Sequence, residues 1–493
     1  MKFKVKSVKW NKVEADALVM FVSSDRWVSE IALLDKSYSG NLKKDLELDK
    51  FEAKLGKLIA YPTFGQLPAK SVVLVGVGES EKLDPAKLRQ AAGHLARYLK
   101  NSHKQTVALD LSLPLLAKIA PEQEAQVVVE GLALGAYKFN KYKSEDKTKP
   151  RAEIEVWLLV NPARIQHAVN GVKVAELMVG ATCFARDLVN ESPTVTTPTY
   201  LANVARNLGK HGEITVEVLD ASEAKKLGMN AYLAVARGSA EAPKFIKLTY
   251  KGGKKKVVLA GKAITFDTGG LSLKDAKNME TMKMDMAGAA AVLGVFKVLP
   301  SLKPKVTVIG LIAATENMPG SKASKPGDVV IALNGKSIEI LNTDAEGRLT
   351  LADVLAYGVL EKPDLMIDLA TLTGACMVAL GEDIAGLFTN NEELKKQLLT
   401  ASWETGEKIW DLPLEKDYRE LIKSDIADLR NIAKNRYGGA ITAALFLEEF
   451  VSLVPWAHLD IAGPAFAEKD GPLTPKGATG FGVMTLLALL QKL

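Results

Sequence analysis

Apolar residues in this chain follow two rhythms. Short runs bounded by glycine, proline or aspartate read as buried strands: Ala17–Val22, Ser71–Gly76, Val107–Leu111 and Ile154–Val160 in the first third. Apolar positions recurring every three or four residues predict helices over Pro85–Lys100, Glu122–Tyr137 and about Arg164–Asn190, the last ended by Pro193 and Pro198. Met1–Lys6 alternates lysine with apolar residues, as an edge strand does. Further on, strands are expected at Ile214–Val218, Ala231–Ala236, Phe245–Tyr250, Lys256–Ala260, Val306–Ala313, Leu365–Leu369 and Trp456–Ile461. Helices are expected at Ala287–Leu299, Leu351–Leu360, Glu392–Glu407 and Ala440–Val451. The alternation makes the fold class α/β, in two domains, 1–163 and 164–493, the second beginning with a connecting helix. Some neighbouring strands have no helix between them, so each sheet is expected to be mixed, with helices flanking it.

Composition narrows the class. The chain has 493 residues, 47% hydrophobic and 25% charged, which suits a soluble globular protein. A net charge of +6 is small for this length and does not argue for nucleic acid. The two cysteines, Cys183 and Cys376, exclude a disulfide framework and a thiolate metal cluster, and suit a reducing cytoplasmic location. The first residues lack the continuous apolar core of a signal peptide, and no uninterrupted apolar run approaches the roughly 20 residues of a membrane span. Gly76-Val77-Gly78 suggests a dinucleotide turn, but Glu81 stands where the third glycine belongs. The lysine-rich stretch Phe139–Arg151 (Lys141, Lys143, Lys147, Lys149) reads as an exposed loop.

Two charged clusters carry the chemistry. The first is Asn342-Thr343-Asp344-Ala345-Glu346-Gly347-Arg348-Leu349. Its charged residues alternate, so an extended backbone would aim Asp344, Glu346 and Arg348 to one side before the chain enters a helix. Ala345 and Gly347 leave room for a close approach. The second runs from Gly261-Lys262 through Asp267-Thr268-Gly269-Gly270 and Lys274 to Met282–Asp285, with Asp285 expected to open a helix. It follows a predicted buried strand, where α/β sheets build sites. A phosphate loop is excluded, because Lys256 and Ala263 stand where glycine and Ser/Thr are required. Taken singly, each acidic residue reads as a solvated loop charge, a turn residue or a helix cap. Together, four carboxylates can share two divalent cations. The five histidines show no ligand spacing, so a metal here would have mainly oxygen ligands.

The octapeptide resembles the signature of the leucyl aminopeptidase (cytosol aminopeptidase) family. Gly261–Asp285 resembles the family's other metal-binding stretch. Further similar segments are Arg186–Asn190, Ala370–Ala375, Gly438–Ala444 and Asp460–Gly463, so the likeness spans about residues 185–482. The first 160 residues would be the family's variable N-terminal domain. The resemblance implies a metal-dependent exopeptidase with two divalent ions per subunit, manganese or zinc, with magnesium or cobalt as alternatives. Asp267 and Glu346 would contact both ions, Lys262 and Asp285 would complete one site, and Asp344 would complete the other. Lys274 and Arg348 match the family's non-ligand catalytic residues, with a bicarbonate ion near Arg348. Lys274, Met282, Thr371, Gly374 and Ala462 would line the substrate site, whose small or apolar members suit a leucine-like first residue. The implied partners are peptides with a free N-terminus and further copies of the chain in a homohexamer, with no membrane. Ala263 and Thr268 depart from the family's usual Gly and Ser.

Two other functions compete. A metal-dependent phosphoesterase would also use paired ions, but would need no free amine. Some members of the family bind DNA, and the basic runs Lys254–Lys256 and Lys141–Lys149 keep that reading open, although solvated faces explain such runs more simply.

Overall fold

The structure, a computed structural model, describes residues 1–113, 115–116, 119–144 and 153–493. They form two compact units, Met1–Val179 with Lys469–Pro475, and Gly180–Glu468 with Lys476–Leu493.

The first unit is built on strands β1 (Lys2–Lys6), β2 (Ala17–Val22), β3 (Leu58–Pro62), β4 (Ser71–Gly76), β5 (Thr106–Asp110) and β6 (Glu155–Leu159). Their order is β1-β6-β5-β2-β4-β3. All neighbours are parallel except β3 and β4, so the sheet is mixed. All six residues of β2 are buried because both faces are covered. Ala17, Val19 and Phe21 pack with Leu88, Leu95 and Val128 on one face. Leu18, Met20 and Val22 pack with Leu34, Leu42 and Leu46 on the other. That period of two is what a central strand imposes on an apolar run. The helix Pro85–Lys100 starts where Asp84 accepts the Lys87 amide and Pro85 takes the first helical position. Strand β1 is at the sheet edge, as its lysines predict. Of the lysine-rich stretch, Lys147 and Lys149 lie outside the described residues.

The second unit has β7 (Ile214–Leu219), β8 (Lys244–Lys251), β9 (Lys256–Asp267), β10 (Thr307–Asn317), β11 (Asp328–Ile331), β12 (Ser337–Ile340), β13 (Leu365–Ala370), β14 (Ala385–Thr389), β15 (Ile409–Asp411), β16 (Leu429–Arg430) and β17 (Trp456–Asp460). Eight form a mixed sheet in the order β15-β14-β17-β13-β9-β10-β8-β7, and β11-β12-β16 make a small second sheet. At the centre, β17, β13, β9 and β10 run parallel, so their carboxyl ends open on one side. The helices Ala287–Leu302 and Gly347–Leu360 are largely buried. The helical stretch Pro162–Asn190 is long and apolar enough to cross a bilayer, but half of that apolar window is buried inside the protein, as in a core helix.

Three local expectations are corrected. Residues Ala231–Ala236 are not a strand but belong to the helix Asn230–Ala236. A six-residue apolar run fits either state by length alone. Here Asp353 accepts the Tyr232 amide at 2.8 Å, and Ala231, Tyr232, Ala234 and Val235 turn into the core as a helix face. Strand β9 does not end before the second cluster but runs twelve residues to Asp267, with Lys262 buried inside it. Asp285 does not open a helix either. It ends the turn Met282–Met284, and the next helix starts at Ala287.

Candidate metal centre

The carboxyl ends of the parallel strands deliver the charged residues. Strand β9 brings Lys262 and Asp267, β10 brings Asn317, β13 leads into Thr371, and β17 ends at Asp460. The octapeptide is not extended. Asn342 accepts the Asp344 amide through its side chain at 2.8 Å, Glu346 has helical backbone angles, and Arg348 is already in the helix Gly347–Leu360. The expected alternation therefore fails, but Asp344 and Glu346 still converge. Carboxylate oxygens of Asp267, Asp344 and Glu346 lie within 4.8 Å of one another. No histidine joins this group among the described residues.

Two lysines thread the cluster. Lys262 Nζ donates to Asp285 Oδ1 at 2.7 Å and to the Thr371 carbonyl at 2.8 Å, and pairs with Glu346 Oε1 at 2.9 Å. Thr371 Oγ1 donates to the same Asp285 oxygen at 2.7 Å. Lys274 Nζ lies 2.9 Å from Asp267 Oδ2 and 2.5 Å from Asp344 Oδ1. Asp267 Oδ1 also accepts from Asn317 Nδ2 at 2.8 Å and from the Gly269 amide at 2.9 Å. Lys262, Asp267, Asp285 and Glu346 are buried, whereas Lys274 and Asp344 are partly exposed and form the open side.

Glycines make these approaches fit. A Cβ on Gly347 would lie 2.4 Å from Lys262 Cε. Gly269 and Gly270 have φ of +85° and +65°, the left-handed turn that folds the chain back between Asp267 and Lys274.

Electrostatics follow from burial and pairing. Burial opposes charge on Lys262, but Asp285, Glu346 and Asp267 outweigh it and hold the ammonium above its ordinary pKa. Burial likewise opposes charge on Lys274, and Asp267 and Asp344 reverse it. Burial and the Glu346 charge push Asp267 up to about 6. Burial drives Asp285 well up. Burial also raises Asp344. For Glu346 burial pulls upward, but Lys262 and Lys274 win and hold it below the usual range.

The donor set fits divalent cations. Four carboxylates face two ammonium groups, which leaves two negative charges, and the buried Arg348 offsets one of them. Buried Asp285 Oδ2 and Glu346 Oε2 accept no hydrogen bond. A buried anionic oxygen without a donor is costly unless a cation meets it.

The remaining expected residues are placed as follows. Arg348 Nη1 donates to the Asn431 carbonyl at 2.7 Å, its Nε has no hydrogen-bond partner, and burial lowers its pKa to about 10. Met282 is half-buried in its turn, Gly374 opens the helix Gly374–Leu380, and Ala462 is buried just beyond β17. Of these substrate candidates Thr371 is bonded directly into the charged cluster. Thr373, the residue before Gly374, and Ala462 both donate backbone amides to Asp460.

Residues 183–487 match the description "Cytosol aminopeptidase family, catalytic domain", and residues 18–146 match "Cytosol aminopeptidase family, N-terminal domain". The chain belongs to the cytosol aminopeptidase family. It is thereby a metallo-exopeptidase of the leucyl aminopeptidase type, with the larger C-terminal unit catalytic. It is 44% identical to a probable cytosol aminopeptidase of Persephonella marina over 99% of both chains. A mutant of the tomato leucine aminopeptidase has the same fold, with a TM-score of 0.90, 35% identity, and 100% and 97% of the two chains covered. The bottromycin maturation enzyme BotP in complex with Mn aligns with a TM-score of 0.85 and 35% identity over 97% of this chain and 99% of that one.

The charge pattern did not reveal three further residues of this aminopeptidase's site. Asn317 ties Asp267 to the Thr343 carbonyl. Asn431 accepts the Leu341 amide, donates to the Asn342 carbonyl and through its own carbonyl receives Arg348. Asp460 is buried with its carboxylate turned toward residues 372–373. A polar residue closing an otherwise apolar strand, as at Asn317 and Asp460, was the available signal.

Proposed function

We propose that this aminopeptidase works with two divalent ions and releases single N-terminal residues, leucine-like preferred, from peptides with a free N-terminus. The observation that carries the reading is the convergence of Asp267, Asp344 and Glu346 on one point, with Asp285 and Lys262 beside them. In this reading Asp267 and Glu346 would hold both ions, Lys262 and Asp285 would complete one site, and Asp344 would complete the other. The oxygen-rich set suits manganese or zinc, with magnesium or cobalt as alternatives. Bound there, the ions supply a polarised carbonyl and lower the pKa of water to near neutral.

The chain's own residues do the rest. Lys262 would have to release its proton to offer a lone pair, whereas its carboxylate neighbours favour the ammonium form. Lys274 stays an ammonium at the open side of the cluster, where it can donate to the oxyanion that develops on the substrate carbonyl; one such donor contributes about 3–4 kcal/mol. Arg348, with a free Nε, is suited to hold a small anion such as bicarbonate that carries the proton. Met282, Thr371, Gly374 and Ala462 form the wall for the first side chain. The free α-amine of the substrate would be recognised at the metal centre that these residues hold, which would limit cleavage to the first peptide bond.

Comparing leucine anilide with its N-acetyl derivative tests this directly. Only the free amine should be cleaved, and equal turnover of both would remove the exopeptidase reading and favour a general hydrolase. The family likeness also supports a homohexamer, about 319 kDa as six times 53.1 kDa, which sedimentation would detect. Cytoplasmic location is supported by the relatives' names and by two free cysteines.

A further inference from the structure

We propose that Asp460 is a positioning residue for the wall that receives the substrate's first side chain; this rests on the function proposed above. Asp460 ends β17 and is fully buried. Its Oδ1 accepts the amides of Leu372 at 3.2 Å, Thr373 at 3.4 Å and Ala462 at 3.2 Å. Its Oδ2 accepts Thr373 Oγ1 at 2.7 Å. One carboxylate thus holds two segments that are 90 residues apart, and both carry wall residues.

Thr373 Oγ1 both donates and accepts. Thr373 Oγ1 accepts the Cys376 amide at 3.0 Å, capping the helix Gly374–Leu380. Its own hydrogen goes to Asp460 Oδ2, so both carboxylate oxygens are acceptors. All four donors meet oxygens of this one carboxyl group. An asparagine could keep its oxygen toward the three amides, but its NH2 group would then face Thr373 and strand the hydroxyl hydrogen.

The same turn reaches the charged cluster from its other end. Thr371 supplies its carbonyl to Lys262 and its hydroxyl to Asp285. Asp460 therefore sets how the wall lies against the reacting centre through the turn and not by a side-chain hydrogen bond to the cluster. Its charge is also felt by Arg348. A pocket wall that shifts loses the discrimination between side chains of different length before it loses the chemistry.

The test uses the full-length, manganese-loaded protein with leucine and alanine anilides. Thr373→Val removes the hydroxyl at nearly constant volume. It should lower the leucine-to-alanine ratio of kcat/KM about tenfold, mostly through KM for leucine, with manganese content at the wild-type level. Thr373→Ser should restore the ratio, and Asp460→Asn should lower it at least as far. Amide exchange at Leu372, Thr373 and Ala462 should quicken in Thr373→Val even without metal. A ratio within twofold of wild type in Thr373→Val, or a loss of manganese that tracks equal losses on both substrates, overturns the positioning role. If Asp460→Asn does not fold, the Thr373 pair decides. A wild type that cleaves blocked and free substrates alike overturns the proposed function instead, so the two failures are distinct.

Discussion

Substituting Gly347 by alanine should displace Lys262 while changing no charged residue. The new Cβ would lie 2.4 Å from Lys262 Cε and 2.7 Å from Nζ. Ordinary contact begins near 3.5 Å, so the lysine end must retreat by about 1 Å. It cannot swing away freely, because Asp285, Thr371 and Glu346 hold Nζ at 2.7, 2.8 and 2.9 Å. A shift of that size breaks at least one of these contacts. A hydrogen bond to a charged group contributes about 1.5–3 kcal/mol, and alanine at a helical position returns at most about 1 kcal/mol. The net loss is about 0.5–3 kcal/mol. It would show as a lower urea midpoint in the chelator-treated protein, with the same m-value. With manganese present, kcat/KM for leucine anilide should fall by roughly tenfold or more, since 1.4 kcal/mol is a factor of ten. A variant within 0.5 kcal/mol and twofold of wild type (both order-of-magnitude thresholds) would refute the claim that Lys262 is held in one position by this cluster.

Two other perturbations probe separate parts of the molecule. Lys274→Met should keep its metal, by elemental analysis, while kcat falls about 10²–10³-fold; loss of metal along with activity would assign Lys274 to the binding shell instead. In the first unit, burial pushes Glu124 up to about 8 against the pull of Arg164. The folded state therefore keeps a proton that the unfolded chain has released, and this group's contribution to stability is full below about pH 4.5 and is lost as pH rises through about 8. Glu124→Gln should remove that loss, so its stability relative to wild type should grow by about 2–4 kcal/mol between pH 5 and pH 9. Parallel pH–stability curves for the two proteins would show that the carboxyl does not titrate this way.

Much of this was legible before the structure because it depended on local patterns. Ala17–Val22 read as a buried strand, and it is covered on both faces, while the helix starting at Pro85 carried its own cap. The octapeptide and Lys262–Asp285 declared themselves through charge beside apolar runs. What escaped had other causes. The run at Ala231–Ala236 is too short for its periodicity to decide, and its backbone state depends on Asp353, more than a hundred residues away. A buried lysine within a central strand contradicts the ordinary placement of lysine, so the apolar pattern predicts only Lys256–Ala260 of the twelve residues of β9. Asn317, Asn431 and Asp460 act through hydrogen bonds to groups far away in the chain, and no spacing encodes such partners.

Counting bound metal tests the central claim most directly. Chelator-stripped protein, dialysed to saturation with manganese and freed of excess ion, should hold two ions per chain by elemental analysis, and Asp267→Asn should hold fewer. One ion or none in the wild-type protein would contradict the account.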